Sequence, residues 1–120
     1  MANKQEGKLR VAVIGTGNMG RNHVRNYFML PESELVAIAD VNPEAKSLAD
    51  DYKVKFFTDY KEMLEKARPD AVSVVVPTPF HLEVATEVMS RGIHCMLEKP
   101  IASSVEEAHK LIACAKKNNV

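Results

Sequence analysis

Between Leu9 and Gly20 the chain runs L-R-V-A-V-I-G-T-G-N-M-G, and no other stretch narrows the fold as much. A short apolar run, rich in β-branched residues, reads as a buried strand. It breaks at a glycine, and two more glycines complete the spacing G-x-G-x-x-G before a helical pattern begins. Gly15 permits the tight turn off the strand, Gly17 leaves bare backbone for a pyrophosphate, and Gly20 lets the helix pack closely on the sheet. The free N–H groups and dipole at the N-terminus of that helix then face the phosphates. The same spacing also occurs in glycine turns that hold nothing. Here a strand precedes it and a helix follows, which is the context of a dinucleotide site.

The rest of the chain repeats the strand–helix alternation. After the Leu9–Ile14 strand, the first helix runs from Asn18 to about Leu30, with Met19, Val24, Tyr27 and Phe28 as its inner stripe, and Pro31 stops it. A second strand covers residues 34–39. Asn42 followed by Pro43 starts a second helix, with Ala45, Leu48, Ala49 and Tyr52 inward. Residues 54–57 form a short strand, and Asp59 with Glu62 reads as a capping box for a short helix. Residues 70–76 hold A-V-S-V-V-V, a buried strand ending before Pro77. Pro79 opens a helix with Val84, Ala85, Val88 and Met89 inward and Gly92 as its C-terminal cap. A fifth strand spans 93–97. Ser103 or Ser104, with Glu106 or Glu107, caps the last helix, whose face is Val105, Ala108, Leu111, Ile112 and Ala115. Strands alternating with helices specify an α/β, doubly wound parallel sheet of Rossmann type, in the order 3-2-1-4-5. Residues 1–8 read as a polar tail and 9–120 as one dinucleotide-binding domain. The last residues, K-K-N-N-V, fall where a sixth strand should begin, so that strand reads as missing or truncated.

Three further places carry chemistry. Asp40 ends the second strand 20 residues past Gly20. A carboxylate there accepts hydrogen bonds from the adenosine ribose and repels a 2′-phosphate, favouring NAD over NADP. An acid capping the next turn is the plainer alternative, and Asn42 leaves NADP use open. V-P-T-P-F-H, residues 76–81, follows the fourth strand, at the point where strand order reverses and ligands bind. Two prolines stiffen that loop and Thr78 can donate or accept; His81 reads equally as pocket lining or as helix-start packing. Glu98-Lys99-Pro100 follows the fifth strand. A lysine there can bind a substrate hydroxyl and favour loss of its proton, while an exposed Glu–Lys ion pair is the plainer reading.

His23, His94 and His109 share no metal-ligand spacing, so no metal site is expected. Lys plus Arg and Asp plus Glu number 16 each, which gives no net field toward nucleic acid or an anionic membrane. No apolar stretch approaches the ~18 residues of a membrane span, and the start M-A-N-K-Q-E-G-K lacks a signal peptide's apolar region. Cys95 and Cys114 form no C-x-x-C and read as free thiols of a reducing cytoplasm.

Taken together, G-T-G-N-M-G with His23 three residues on, A-D at Asp40, V-P-T-P-F-H and G-I-H-C-M-L-E-K-P-I-A resemble the glucose–fructose oxidoreductase / inositol dehydrogenase / MocA family of NAD(P)-dependent sugar oxidoreductases. The resemblance runs from about Leu9 to Val120, and its E-K-P motif is more specific than the glycine loop. It implies that Gly15, Thr16, Gly17, Asn18, Met19 and Gly20 hold the pyrophosphate and Asp40 the adenosine ribose. It implies that Pro77, Thr78, Pro79 and His81 line the nicotinamide side together with Glu98 and Lys99. Lys99 then binds the reacting hydroxyl and moves its proton while hydride passes between a sugar carbon and nicotinamide. It implies a second domain with the sugar pocket and a dimer or tetramer interface, so this stretch alone is expected to bind cofactor without turnover. Within the family the motifs look most like the nucleotide-sugar 3-dehydrogenase branch. A free-standing NAD(H)-binding regulatory module and an S-adenosylmethionine-dependent methyl transferase are the competing functions; the strand count and E-K-P speak against the second.

Overall fold

The apolar run Leu9–Ile14 forms β1 at the centre of a five-stranded parallel sheet. The structure is a computed structural model that describes residues 7–120. Along the chain follow α1 (Asn18–Met29), β2 (Ser33–Ala39), α2 (Lys46–Tyr52), β3 (Lys55–Phe57), α3 (Tyr60–Ala67), β4 (Ala71–Val74), α4 (His81–Ser90), β5 (His94–Leu97) and α5 (Val105–Asn118). The strand order is β3-β2-β1-β4-β5, as the alternation specifies. The tail expected over residues 1–8 lies, for its first six residues, outside the described part.

β1 is apolar on both faces because both are covered. Val11 and Val13 pack with Val24 of α1, Leu35 and Ile38 of β2, and Leu48 and Ala49 of α2. Ala12 and Ile14 point the other way, onto Met63 and Leu64 of α3 and Val84 and Val88 of α4. Each buried Val, Leu, Ile or Met side chain among these contributes about 1.5–3 kcal/mol. α5 docks on α4 through Ala85, Met89 and Leu111. Gly92 has φ +74°, and the Gly92 N–H to Met89 and Ile93 N–H to Val88 bonds end α4 in a Schellman turn.

Local chemistry sets several boundaries differently from the sequence reading. Val75 and Val76 lie beyond β4, and Pro79 sits in a 3-10 turn over Thr78–Phe80 that leads into α4. Asp59 caps α3 by accepting from the Lys61 N–H, while Glu62 pairs with Lys66 instead of reaching back, so only half of the capping box forms. Ser104 caps α5 by accepting from Glu107 N–H, and Glu107 in turn accepts from Ser103 N–H. The inner line of α1 is Gly20, Val24 and Tyr27. Met19 and Phe28 lie on either side of that line, about 70–100° off it, and are exposed. Phe28 instead meets Tyr52 edge-on, ring centroids 4.9 Å apart. Val105 and Ile112 of α5 are likewise exposed, leaving Leu111 as its buried anchor.

Candidate functional site

The register of the sheet creates the site. Phe57 pairs with Ala39, Ala39 with Ile14, Ile14 with Val74 and Val74 with Leu97. The five strands therefore end in one row, and the next residues, Thr58, Asp40, Gly15, Val75 and Glu98, all open into one groove of about 640 Å³. Thr16, Gly17, Asn18, Met19 and Pro77 also line it. Gly20, Thr78, Pro79, His81 and Lys99 are not among its lining residues.

The three glycines divide by what confines them. A Cβ on Gly15 would lie 2.5 Å from the Val75 carbonyl oxygen, and one on Gly20 2.0 Å from that of Gly15. Gly15 also has φ +93°, so the fold itself requires both. At Gly17 a Cβ would meet nothing within 4 Å, and φ −70°, ψ −160° suits any residue. The fold does not demand a glycine there, but the groove does if a ligand is to lie against the backbone. α1 also starts with no side-chain cap and no acidic residue in its first turn, whereas α3 and α5 have both. Its first-turn N–H groups are left for an anion to satisfy. A dinucleotide pyrophosphate fits this cradle.

Asp40 is fixed before any ligand arrives. Its Oδ2 accepts from the Thr16 N–H at 2.8 Å and the Thr16 hydroxyl at 2.6 Å, and its Oδ1 from the Asn42 N–H at 2.9 Å. Burial pushes its pKa up, but the bonds from the Thr16 hydroxyl, Asn42 N–H and Thr16 N–H outweigh it and hold the carboxyl below its ordinary 3.8. Asp40 therefore caps the turn after β2, and lone pairs remain on its carboxylate for a further donor. Because its folded pKa is lowered, Asp40 stabilises the fold above its ordinary titration range and loses that effect as pH falls through the lowered value. Melting temperatures of the wild type and Asp40→Asn are expected to differ at pH 7 and to converge as the pH falls below the ordinary carboxylate range; a gap that persists once the carboxyl is protonated would contradict this.

His81 is 1% exposed, and its ring nitrogens lie 2.9 Å from the Val76 and 3.2 Å from the Ile101 carbonyl oxygens. It ties the loop after β4 to the segment after β5. Lys99 is exposed, and its N–H donates to Glu98 Oε1 at 3.1 Å. Glu98 Oε2 accepts from His23 Nε2 at 2.9 Å, and His23 Nδ1 lies 2.9 Å from the Ser73 hydroxyl, itself 2.7 Å from that of Tyr27. The hydrogen bond from His23, then that from the Lys99 N–H, hold the Glu98 carboxyl below the usual range. Sequence reasoning gave His23, Ser73 and Tyr27 no role in the site. The one available signal was a serine inside the buried run A-V-S-V-V-V, a hydroxyl that had to find partners. Thr58, Tyr60 and Phe80 also line the groove unforeseen, and the Tyr60 hydroxyl is buried without a hydrogen-bond partner. Its pKa is raised by burial and then by Glu83, Glu87 and Asp59.

Cys95 and Cys114 are free, and burial followed by the nearby Cys114 pushes the Cys95 thiol up to about 11, which leaves it unreactive. Among the described residues no three His, Cys, Asp or Glu cluster as a metal site, and no helix is long and apolar enough to cross a membrane.

The sequence pattern of the Gfo/Idh/MocA group, described as an oxidoreductase family with an NAD-binding Rossmann fold, matches residues 9–120. Over 113 residues, 93% of this chain, it is 37% identical to the UDP-N-acetylglucosamine 3-dehydrogenase of Acidithiobacillus ferrooxidans. Over 112 residues, 91% of the chain, it is 37% identical to the D-glucoside 3-dehydrogenase of Escherichia coli. The chain spans about a third of these relatives, 35% and 32% of their lengths. The crystal structure of the WlbA dehydrogenase from Bordetella pertussis, in complex with NADH and UDP-GlcNAcA, superposes with a TM-score of 0.90 at 28% identity, covering 98% of this chain and 34% of that one.

Proposed function

The chain belongs to the Gfo/Idh/MocA oxidoreductase family, as its NAD-binding Rossmann domain, and on that premise we propose that it serves hydride transfer between NAD and a hydroxyl or ketone of a sugar derivative. Gly17 carries the reading: a glycine the fold does not need, at an uncapped helix N-terminus, in the groove that the strand ends share. NAD, when bound, supplies the hydride acceptor and, as NADH, the donor.

The chain's own residues divide the remaining work. The N–H groups from Gly17 to Gly20, at the uncapped start of α1, bind the pyrophosphate, with Thr16, Asn18 and Met19 forming the cradle's wall. Asp40, already oriented by Thr16, accepts from the adenosine ribose hydroxyls. Pro77, Thr78 and Pro79 form the nicotinamide-side loop, and His81 holds that loop against the segment after β5. Glu98 faces the groove beside them. Lys99 binds the reacting hydroxyl, takes its proton when the alcohol is oxidised, and returns it when the ketone is reduced.

The substrate proposed is a nucleotide sugar or glucoside oxidised at its 3-hydroxyl. The support is that two relatives at 37% identity are named for 3-dehydrogenation of such sugars. Residues 9–120 would then serve as the cofactor domain, with the sugar pocket built by other parts of the protein, which are about two thirds of the length in those relatives. A homo-oligomer in a reducing cytoplasm belongs to the same reading. Met96 on edge strand β5 and Ile101 in the segment that follows it are exposed, as an interface residue is before assembly.

Asp40→Ala tests the cofactor half directly. It removes a charged acceptor and a repulsive charge together, so NADH binding is expected to weaken about 10- to 100-fold while NADPH loses less. Titration of both variants with both cofactors measures this, and an unchanged NADH-to-NADPH preference would show that another group selects the cofactor.

A further inference from the structure

The side-chain series Glu98–His23–Ser73–Tyr27 has no part in the chemistry assigned above, yet it is costly to build. Ser73 is a hydroxyl on β4 with no solvent exposure, flanked in sequence by valines. Left unpaired, such a group costs about 1–3 kcal/mol, and an apolar residue would avoid that cost. Here it is bonded by both Tyr27 and His23.

The series has a direction. A carboxylate can only accept, so His23 Nε2 carries the proton given to Glu98 Oε2. In the neutral imidazole Nδ1 then accepts from the Ser73 O–H, and Ser73 accepts from the Tyr27 O–H. Glu98 thus selects the tautomer of His23, and Ser73, itself bonded to Tyr27, holds the ring's other nitrogen and so its orientation. The result is a carboxylate pinned at both oxygens, by His23 and by the Lys99 N–H, with lone pairs remaining on each. Its place matters as well. From Asp40 after β2 to Glu98 after β5 is three strand steps, about 14 Å, so a dinucleotide with its adenosine ribose at Asp40 extends its other half toward Glu98.

We infer that His23, with its ring held by Ser73 and Tyr27, is a positioning residue that aims the Glu98 carboxylate at the nicotinamide riboside half of the cofactor. Because His23 sits on α1, the helix whose N-terminus cradles the pyrophosphate, one rigid element serves both halves of the ligand. The inference rests on the proposed cofactor placement, and the experiment separates the two.

The full chain is titrated with NADH and with ADP, which has the adenosine and pyrophosphate but no nicotinamide riboside. His23→Leu is expected to raise the Kd for NADH about 10-fold and leave that for ADP unchanged. His23→Gln, whose amide restores a donor near the Nε2 position, is expected to recover NADH binding to within about threefold. Should the leucine variant not fold, Ser73→Ala, which frees the His23 ring to turn, takes its place with the same NADH-selective loss and with ADP binding unchanged. Equal losses for NADH and ADP would make His23 a scaffold residue only, and no loss for either would remove it from the site; both overturn the inference. Wild-type protein that binds neither probe overturns the cofactor placement beneath it.

Discussion

Lys99→Ala in the active oxidoreductase is expected to lower kcat about 10³-fold while leaving NADH affinity within about twofold. The residue follows the strand end that carries Glu98, and its side chain is exposed, outside the groove lining. A group placed so contributes little to holding the cofactor and much to a hydroxyl presented from solvent. Its neighbour fixes the backbone there, since the Lys99 N–H donates to Glu98 Oε1, so alanine removes the amine without freeing the turn. Steady-state kinetics beside an NADH titration measure the split. A loss of NADH affinity matching the loss of rate would make Lys99 a cofactor ligand and leave the proton transfer to another group.

Gly17→Asp is expected to separate binding from stability in opposite directions. Aspartate is a favourable N-cap, and the position has room for its Cβ and backbone angles that suit it, so the melting temperature should hold or rise slightly. The same carboxylate would stand where the pyrophosphate must lie. One like charge at ~4–5 Å in a partly desolvated groove costs about 3 kcal/mol, which is ~100-fold or more in Kd. Thermal melts and NADH titrations on the one variant give both numbers. Retained binding with an unchanged melt would show that the groove beside Gly17 does not hold the phosphates.

The sheet was legible because each of its signals is local. The β-branched run before Gly15, the Asn42-Pro43 helix start and Gly92 each act within a turn or two of chain, and together they fix the alternation from which strand order follows. Rotation about a helix axis was less legible. Met19 and Phe28 lie one residue from the buried line of Gly20, Val24 and Tyr27, and apolar side chains at the rim of a stripe read like those within it. Strand ends were also blurred, since Val75 and Val76 continue the apolar run of β4 although the pairing with β1 stops at Val74. The glycine loop and Asp40 could be placed from spacing alone. The contacts of His23 with Ser73 and Glu98 could not, because they span 50 and 75 residues and only the parallel register makes these residues neighbours. The Thr16–Asp40 contact was hidden for the same reason, being made across adjacent strand ends.

The central claim is that the row of strand ends, with the bare backbone at Gly17 and the fixed carboxylate of Asp40, is a site for NAD. Calorimetric titration of the chain with NADH, NADPH and S-adenosylmethionine tests it most directly. Binding of NADH ahead of NADPH, and none of S-adenosylmethionine, is expected. Tighter binding of NADPH, or S-adenosylmethionine in place of either nucleotide, would contradict it.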